Sequence, residues 1–127
     1  MSNSLKNLAI VGSRTFTDYK KMKEFINEKF DISEVGTIVS GGARGADSLA
    51  RVFAFENDLE LLEFPAQWDK YGKRAGFIRN VDIITNCDMC AVFWDGQSHG
   101  TKHDIDLCEE MGKPYEICYF ENEEKKE

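Results

Sequence analysis

The sequence predicts an α/β protein: a single Rossmann-like, doubly wound parallel sheet of strand order 3-2-1-4-5. Three observations carry that expectation. Short apolar runs alternate with amphipathic helical patterns along the whole chain. Strands separated by helices pair in parallel through right-handed crossovers. The stretch Ser40-Gly41-Gly42-Ala43-Arg44-Gly45-Ala46-Asp47-Ser48 stands where a β-branched run, Thr37-Ile38-Val39, turns into a helix, as glycine-rich turns do in sheets of this kind.

The first strand spans 5–11. Leu8, Ala9, Ile10 and Val11 are uninterrupted apolar residues, the pattern of a strand covered on both faces. Gly12-Ser13-Arg14 ends it. Thr17 or Asp18 caps the first helix, which sets Met22, Phe25, Ile26 and Phe30 at helical spacing. Gly36 is expected to break the chain before the second strand, 37–40. The second helix runs from the glycine-rich turn to near Asn57, with Leu49, Ala50, Val52 and Phe53 on one face. The third strand is 59–64, and Pro65 stops it and opens a long loop, 66–73. The third helix, 74–86, buries Phe77, Val81 and Ile84. The fourth strand is 89–94, followed by a second polar loop, Asp95 to Thr101. The fourth helix carries Ile105, Leu107, Cys108 and Met111 and stops at Gly112-Lys113-Pro114. The last strand is 115–120. One domain is expected over 1–120, with 121–127 a charged, flexible tail.

A chain of 127 residues with 42% hydrophobic content is enough for one globular domain with a single core. Its apolar runs are too short to span a bilayer, and the N-terminus lacks the apolar region of a signal peptide. No membrane association and a cytoplasmic location are expected. The net charge of −7 argues against nucleic acid as a partner, because phosphates favour a basic surface. The loops hold a different balance, with Arg14, Arg44, Lys70, Lys73, Arg74, Arg79 and Lys102. A local basic cleft on an acidic body fits a small anionic ligand. Cys87-x-x-Cys90 has the spacing of a zinc or redox pair. No second ligand pair accompanies it, and it precedes a strand rather than opening a helix. Buried, reduced thiols are expected, with no metal site and no required cofactor.

In a 3-2-1-4-5 sheet the ligand crevice lies beyond the carboxyl ends of the first and fourth strands. Three polar, glycine-bearing loops converge there: Gly12-Ser13-Arg14, Ser40 to Asp47, and Asp95 to Thr101. Gly41, Gly42 and Gly45 leave backbone N–H groups open to a phosphate at a helix N-terminus. Arg44 either pairs with that phosphate or bonds a nearby carboxylate. Asp47 either favours the helix dipole or accepts ribose hydroxyls. Trp68 and Tyr71 either stack on a base or plug the core. Asp95 is a candidate for holding ribose, Gly100-Thr101 for a second anion-binding helix start, and His99 and His103 for phosphate contact or simple surface placement.

These segments, together with Phe64-Pro65-Ala66-Gln67-Trp68, Arg74 to Asn80 and Trp94-Asp95-Gly96-x-Ser98-x-Gly100-Thr101, resemble the SLOG superfamily, and within it the YspA-like, cpYpsA-related branch. The resemblance covers nearly the whole chain. It implies a Rossmann-like fold, a nucleotide-type ligand and a homo-oligomer. It implies ligand contacts from Gly12, Ser13, Arg14, Ser40, Gly41, Gly42, Arg44, Gly45, Asp47, Trp68, Arg79, Asn80, Asp95, Gly96, Ser98, Gly100 and Thr101. The superfamily includes the LOG phosphoribohydrolases and the DprA/Smf proteins that bind single-stranded DNA. The LOG motif Pro-Gly-Gly-x-Gly-Thr-x-x-Glu is altered here: Gly-Thr remains, Gly96-Gln97-Ser98 precedes it, and Asp104 stands in place of the glutamate.

Three functional readings follow. The first is binding of a nucleotide or NAD-derived molecule by a sensor, carrier or sequestering protein. The alternative is a LOG-like enzyme cleaving the N-glycosidic bond of a nucleoside monophosphate, with Arg79 and Asp104 as catalytic residues. The third is DprA-like binding of single-stranded DNA.

Overall fold

The computed structural model describes residues 5–121. Five parallel strands form one sheet of order β3-β2-β1-β4-β5, the order expected from the alternation. The strands are β1 (Lys6–Gly12), β2 (Val35–Ser40), β3 (Glu60–Glu63), β4 (Met89–Trp94) and β5 (Tyr115–Tyr119). The helices are α1 (Tyr19–Lys29), α2 (Ala46–Glu56), α3 (Trp68–Tyr71), α4 (Ala75–Thr85) and α5 (His99–Met111).

The period of two in a strand decides which helix each side chain meets. Leu8 and Ile10 of β1 and Ala91 and Phe93 of β4 join Met22 and Ile26 of α1 and Ala50 and Phe53 of α2 in one core. Ala9 and Val11 of β1 and Cys90 and Val92 of β4 point the other way. They pack with Ile83 and Ile84 of α4 and Ile105, Leu107 and Cys108 of α5. β1 lies in the middle of both layers, which is why its apolar run is continuous.

Local chemistry sets the helix ends. The Asp18 carboxylate accepts the Lys21 N–H (3.0 Å) and caps α1. Gly112, at φ 68°, closes α5 in the left-handed conformation.

Several expectations are corrected. Gly36 lies inside β2, and the Leu5 side chain fills the space that a Cβ would need there. The loop after β3 contains α3 and a 3-10 turn, Gly72–Arg74. The buried face of α4 is Ala75, Asn80, Ile83 and Ile84, while Phe77 is 58% exposed and Val81 is exposed too. Both sets keep helical spacing; the sheet selected the one that seats Ile83 and Ile84. Val52 and Met111 are likewise exposed, and Ala54 rather than Val52 completes the inner face of α2. The four cysteines are buried free thiols, and burial pushes Cys87 up to about 12. Among the described residues, no helix is long and apolar enough to cross a membrane. Apart from Glu121, the expected tail lies outside the described residues.

Gly45 fixes how β1 meets α2. Its backbone has φ 71° and ψ −129°, and an added Cβ would stand 2.4 Å from the Arg14 carbonyl carbon and oxygen and 2.5 Å from the Ser13 carbonyl oxygen. Gly45→Ala is expected to destabilise the fold by at least about 2 kcal/mol in denaturant titration. Gly100 has open space at its Cβ position, so Gly100→Ala is expected to stabilise by about 0.5 kcal/mol.

Candidate functional site

A cleft of about 700 Å³ opens beyond the carboxyl ends of β1 and β4, at the point where the strand order reverses. Gly12 to Thr15 and the first turns of α5 line it, together with Phe77, Arg79, Asn80 and Ile83 of α4 and with Trp68 and Lys73.

The Ser13 backbone joins the pieces. Its N–H donates to Phe93 O (3.0 Å), and its carbonyl accepts from Phe16 N–H (3.2 Å) and from Ala46 N–H (3.3 Å) at the start of α2. Its side-chain oxygen lies 3.0 Å from the Ser98 hydroxyl, which donates to Thr101 Oγ1 (2.9 Å). One hydroxyl chain therefore ties the end of β1 to the start of α5.

The glycine-rich turn is occupied by the protein's own groups. Gly42 N–H donates to Ser40 Oγ (3.4 Å) and Ala43 N–H to Asp47 Oδ2 (3.2 Å). Arg79 Nη1 donates to the Gly41 carbonyl (3.1 Å), and a Cβ on Gly41 would stand 2.4 Å from that nitrogen. Gly41 thus makes room for Arg79, and Asp47 supplies a carboxylate at the helix start. Burial pushes the Asp47 carboxyl above its usual range, against the lowering effects of the Ala43 N–H and Arg79.

Asp104 lies deeper, 5% exposed, with Oδ1 buried and unpartnered. Burial raises its carboxyl well above the ordinary value; Asp47 adds to the rise and Arg79 opposes it. A carboxyl held toward its neutral form is suited to donating a hydrogen bond. Asn80 Nδ2 donates to Gly100 O (3.4 Å) and lies 3.1 Å from His103 Nδ1. The bond to a carbonyl fixes the amide orientation, so His103 Nδ1 accepts and Nε2 carries the proton. Burial lowers the His103 pKa, and its ring meets Phe77 edge-on at 4.5 Å.

Among the residues expected at the site, Gly12, Ser13, Arg14, Asp47, Trp68, Arg79, Asn80, Asp95, Ser98, Gly100, Thr101 and Asp104 line the cleft. Ser40, Gly41, Gly42, Arg44, Gly45 and Gly96 stand outside the lining: Ser40, Gly41 and Gly45 support it from behind, and Arg44 is exposed. Asp95 Oδ1 accepts the N–H groups of Gln97 (2.9 Å) and Ser98 (2.8 Å), shaping the loop before α5. Tyr71 does not line the cleft. Thr15 and Phe77 do, and neither was among the expected site residues. Phe77 has the pattern of a core residue, and only the placement of α4 brings it to the rim.

The family described as DNA recombination-mediator protein A matches residues 1–66. The chain is 31% identical over 117 residues to the Gene 61 protein of Mycobacterium phage D29, covering 87% of this chain and 94% of that protein. The structure of DNA processing protein A (DprA) from Streptococcus pneumoniae superposes with a TM-score of 0.71 at 21% identity. DNA processing protein A from Helicobacter pylori, whose structure is described by its single-stranded DNA binding mode, superposes with a TM-score of 0.64 at 22% identity. Each superposition covers 91% of this chain, which spans 50% of the first protein and 66% of the second. The expectation that nucleic acid is an unlikely partner is overturned by the match to a DNA recombination-mediator family; of the proteins that share the fold, one is described by its single-stranded DNA binding mode. Net charge averages over the whole surface and does not describe one cleft, where Arg14, Lys73, Arg79 and Lys102 stand among Asp47, Asp95, Asp104 and Asp106. The chain belongs to the DNA recombination-mediator protein A family.

Proposed function

We propose that the chain binds single-stranded DNA in the cleft beyond β1 and β4. The observation that carries this reading is the coincidence of cations and exposed aromatic rings on one concave surface. Arg14 and Lys73 line it and enter no ion pair among the described residues. Trp68, 51% exposed, and Phe77 line the same cleft. Cations that follow the backbone and flat rings on which bases stack are the two components of sequence-tolerant single-strand binding. Of the two lining carboxylates nearest solvent, Asp106 is neutralised by Lys102 at 2.7 Å, and Asp95 is turned into its own loop.

The polar floor favours a second reading at the same place, a single small nucleotide. Buried Ser13, Asn80 and Thr101 enclose that end of the cleft, and a closed end suits one nucleotide unit better than a continuous strand.

A labelled oligothymidylate of about 12 nucleotides is expected to bind at low salt in fluorescence anisotropy, and a duplex of equal length to bind more weakly. Arg14→Ala and Lys73→Ala are each expected to weaken binding and to reduce the log–log salt slope by about 0.7. Trp68→Leu is expected to cost about 1–3 kcal/mol and to remove the quenching of tryptophan emission on binding. Tight binding of a mononucleotide with none of the strand would favour the second reading. Strand binding untouched by all three substitutions would place the interface elsewhere.

A further inference from the structure

Among the described residues, two buried side-chain polar atoms lack a hydrogen-bond partner, Thr15 Oγ1 and Asp104 Oδ1, and both residues line the same cleft. The neighbouring polar groups are satisfied: Ser13, Ser98 and Thr101 bond one another, and Asn80 bonds Gly100 and His103. Buried polar atoms without partners are costly and uncommon. Their shared place in one cleft marks where the polar edge of an occupant completes the bonding.

A phosphate does not fit that place. Asp47 and Asp104 lie within electrostatic reach of each other, and the guanidinium nearest them, Arg79, is held by the Gly41 carbonyl. A phosphate there competes with the two carboxyl groups for Arg79, and for Arg14, which also acts on Asp47, and it is buried beside acids whose anions burial already disfavours. Arg14 and Lys73 are better placed for phosphate. We propose that the floor takes the edge of a nucleobase, held by Asp104, while the phosphates of the same strand lie against Arg14 and Lys73.

This inference rests on the single-stranded DNA reading. Held toward its neutral form by burial and by Asp47, the Asp104 carboxyl offers an O–H donor beside a C=O acceptor. Each of the four bases carries an acceptor next to an N–H donor on its Watson–Crick edge, so the contact is bidentate and tolerant of sequence. The terminal torsion of an aspartate is broad and two-fold, which lets Oδ1 turn toward the cleft. Ile83 and Phe77 supply apolar walls for the ring. The titratable and charged groups facing Asp104 are Asp47 on α2, Arg79 on α4 and Cys108 on its own helix. Cys87 and Cys90 lie on the sheet side, and His103 is its neighbour in sequence.

The test compares oligothymidylate with an abasic sugar–phosphate strand of equal length, across the whole pH range in which the chain stays folded. The wild-type chain is expected to bind the base-bearing strand about tenfold more tightly. That advantage shrinks as pH rises and Asp104 loses its proton. Asp104→Asn keeps a donor beside an acceptor without the charge, so its advantage is expected to be constant across the range. Asp104→Leu is expected to lose the pH-dependent part of the advantage, to keep the part owed to stacking on Trp68, and to bind the abasic strand like wild type. A wild-type advantage that is pH-invariant and equal to that of a folded Asp104→Leu chain overturns the inference and leaves the strand reading intact; failure of wild type to bind either strand overturns both.

Stability supplies an independent readout. A carboxyl whose folded pKa is raised contributes fully below its unfolded value of 3.8, and that contribution is lost as pH rises through the folded value. The thermal midpoint of Asp104→Asn is therefore expected to match wild type near that pH and to exceed it by a few degrees at neutral pH. Equal midpoints at every pH would overturn the charge state assigned to Asp104.

Discussion

The site depends on one contact between backbones, the approach of Gly45 to Ser13 and Arg14. The Ser13 carbonyl receives the first N–H of α2, and Gly45 comes so near that no Cβ fits between the chains. Gly12 does the same on the other side, where a Cβ would stand 2.4 Å from the Phe93 carbonyl oxygen. These approaches draw the ends of β1 and β4 and the start of α2 into one rigid junction. The cleft wall, the hydroxyl chain to Ser98 and the position of Asp47 follow from it.

That junction changes the meaning of the glycine-rich turn. Such a turn is suited to an outside anion, but here Asp47 receives the Ala43 N–H, and Arg79 reaches in from α4 to the Gly41 carbonyl. The protein has supplied its own charges to the place where a phosphate was expected. On the reading proposed above, anions are received near Arg14 and Lys73, and the buried end of the cleft, with Asp47 and Asp104, takes the neutral part of the ligand. A site divided in this way suits a ligand that is anionic at one end and a neutral hydrogen-bonding ring at the other, which is the chemistry of a nucleotide.

The same division reconciles an acidic chain with a DNA-processing family. Association is governed by the potential at the contact surface rather than by the sum of charges. Within the cleft, Asp47 and Asp104 are buried and Asp106 is paired with Lys102, which leaves Arg14 and Lys73 among its exposed lining groups.

The fold was legible because the strand pattern repeats the same physics five times. Leu8 to Val11 and Met89 to Trp94 could only be strands covered on both faces, and their spacing left one economical sheet order. The wall residues Ser13, Arg14, Ser98 and Thr101 were legible for the same reason, since loops after the central strands must meet at the point where the order reverses. Sequence did not decide which face of α4 turned inward: Phe77, Val81 and Ile84 satisfy helical spacing as well as Asn80, Ile83 and Ile84. Packing against the sheet chose the second set, sending Phe77 to the rim and Arg79 toward Gly41. Nor did it reveal that Arg44 faces solvent while Asp104 is buried without a partner for Oδ1. Those outcomes depend on contacts between residues far apart in the chain, and a local pattern holds no information about which distant group arrives first.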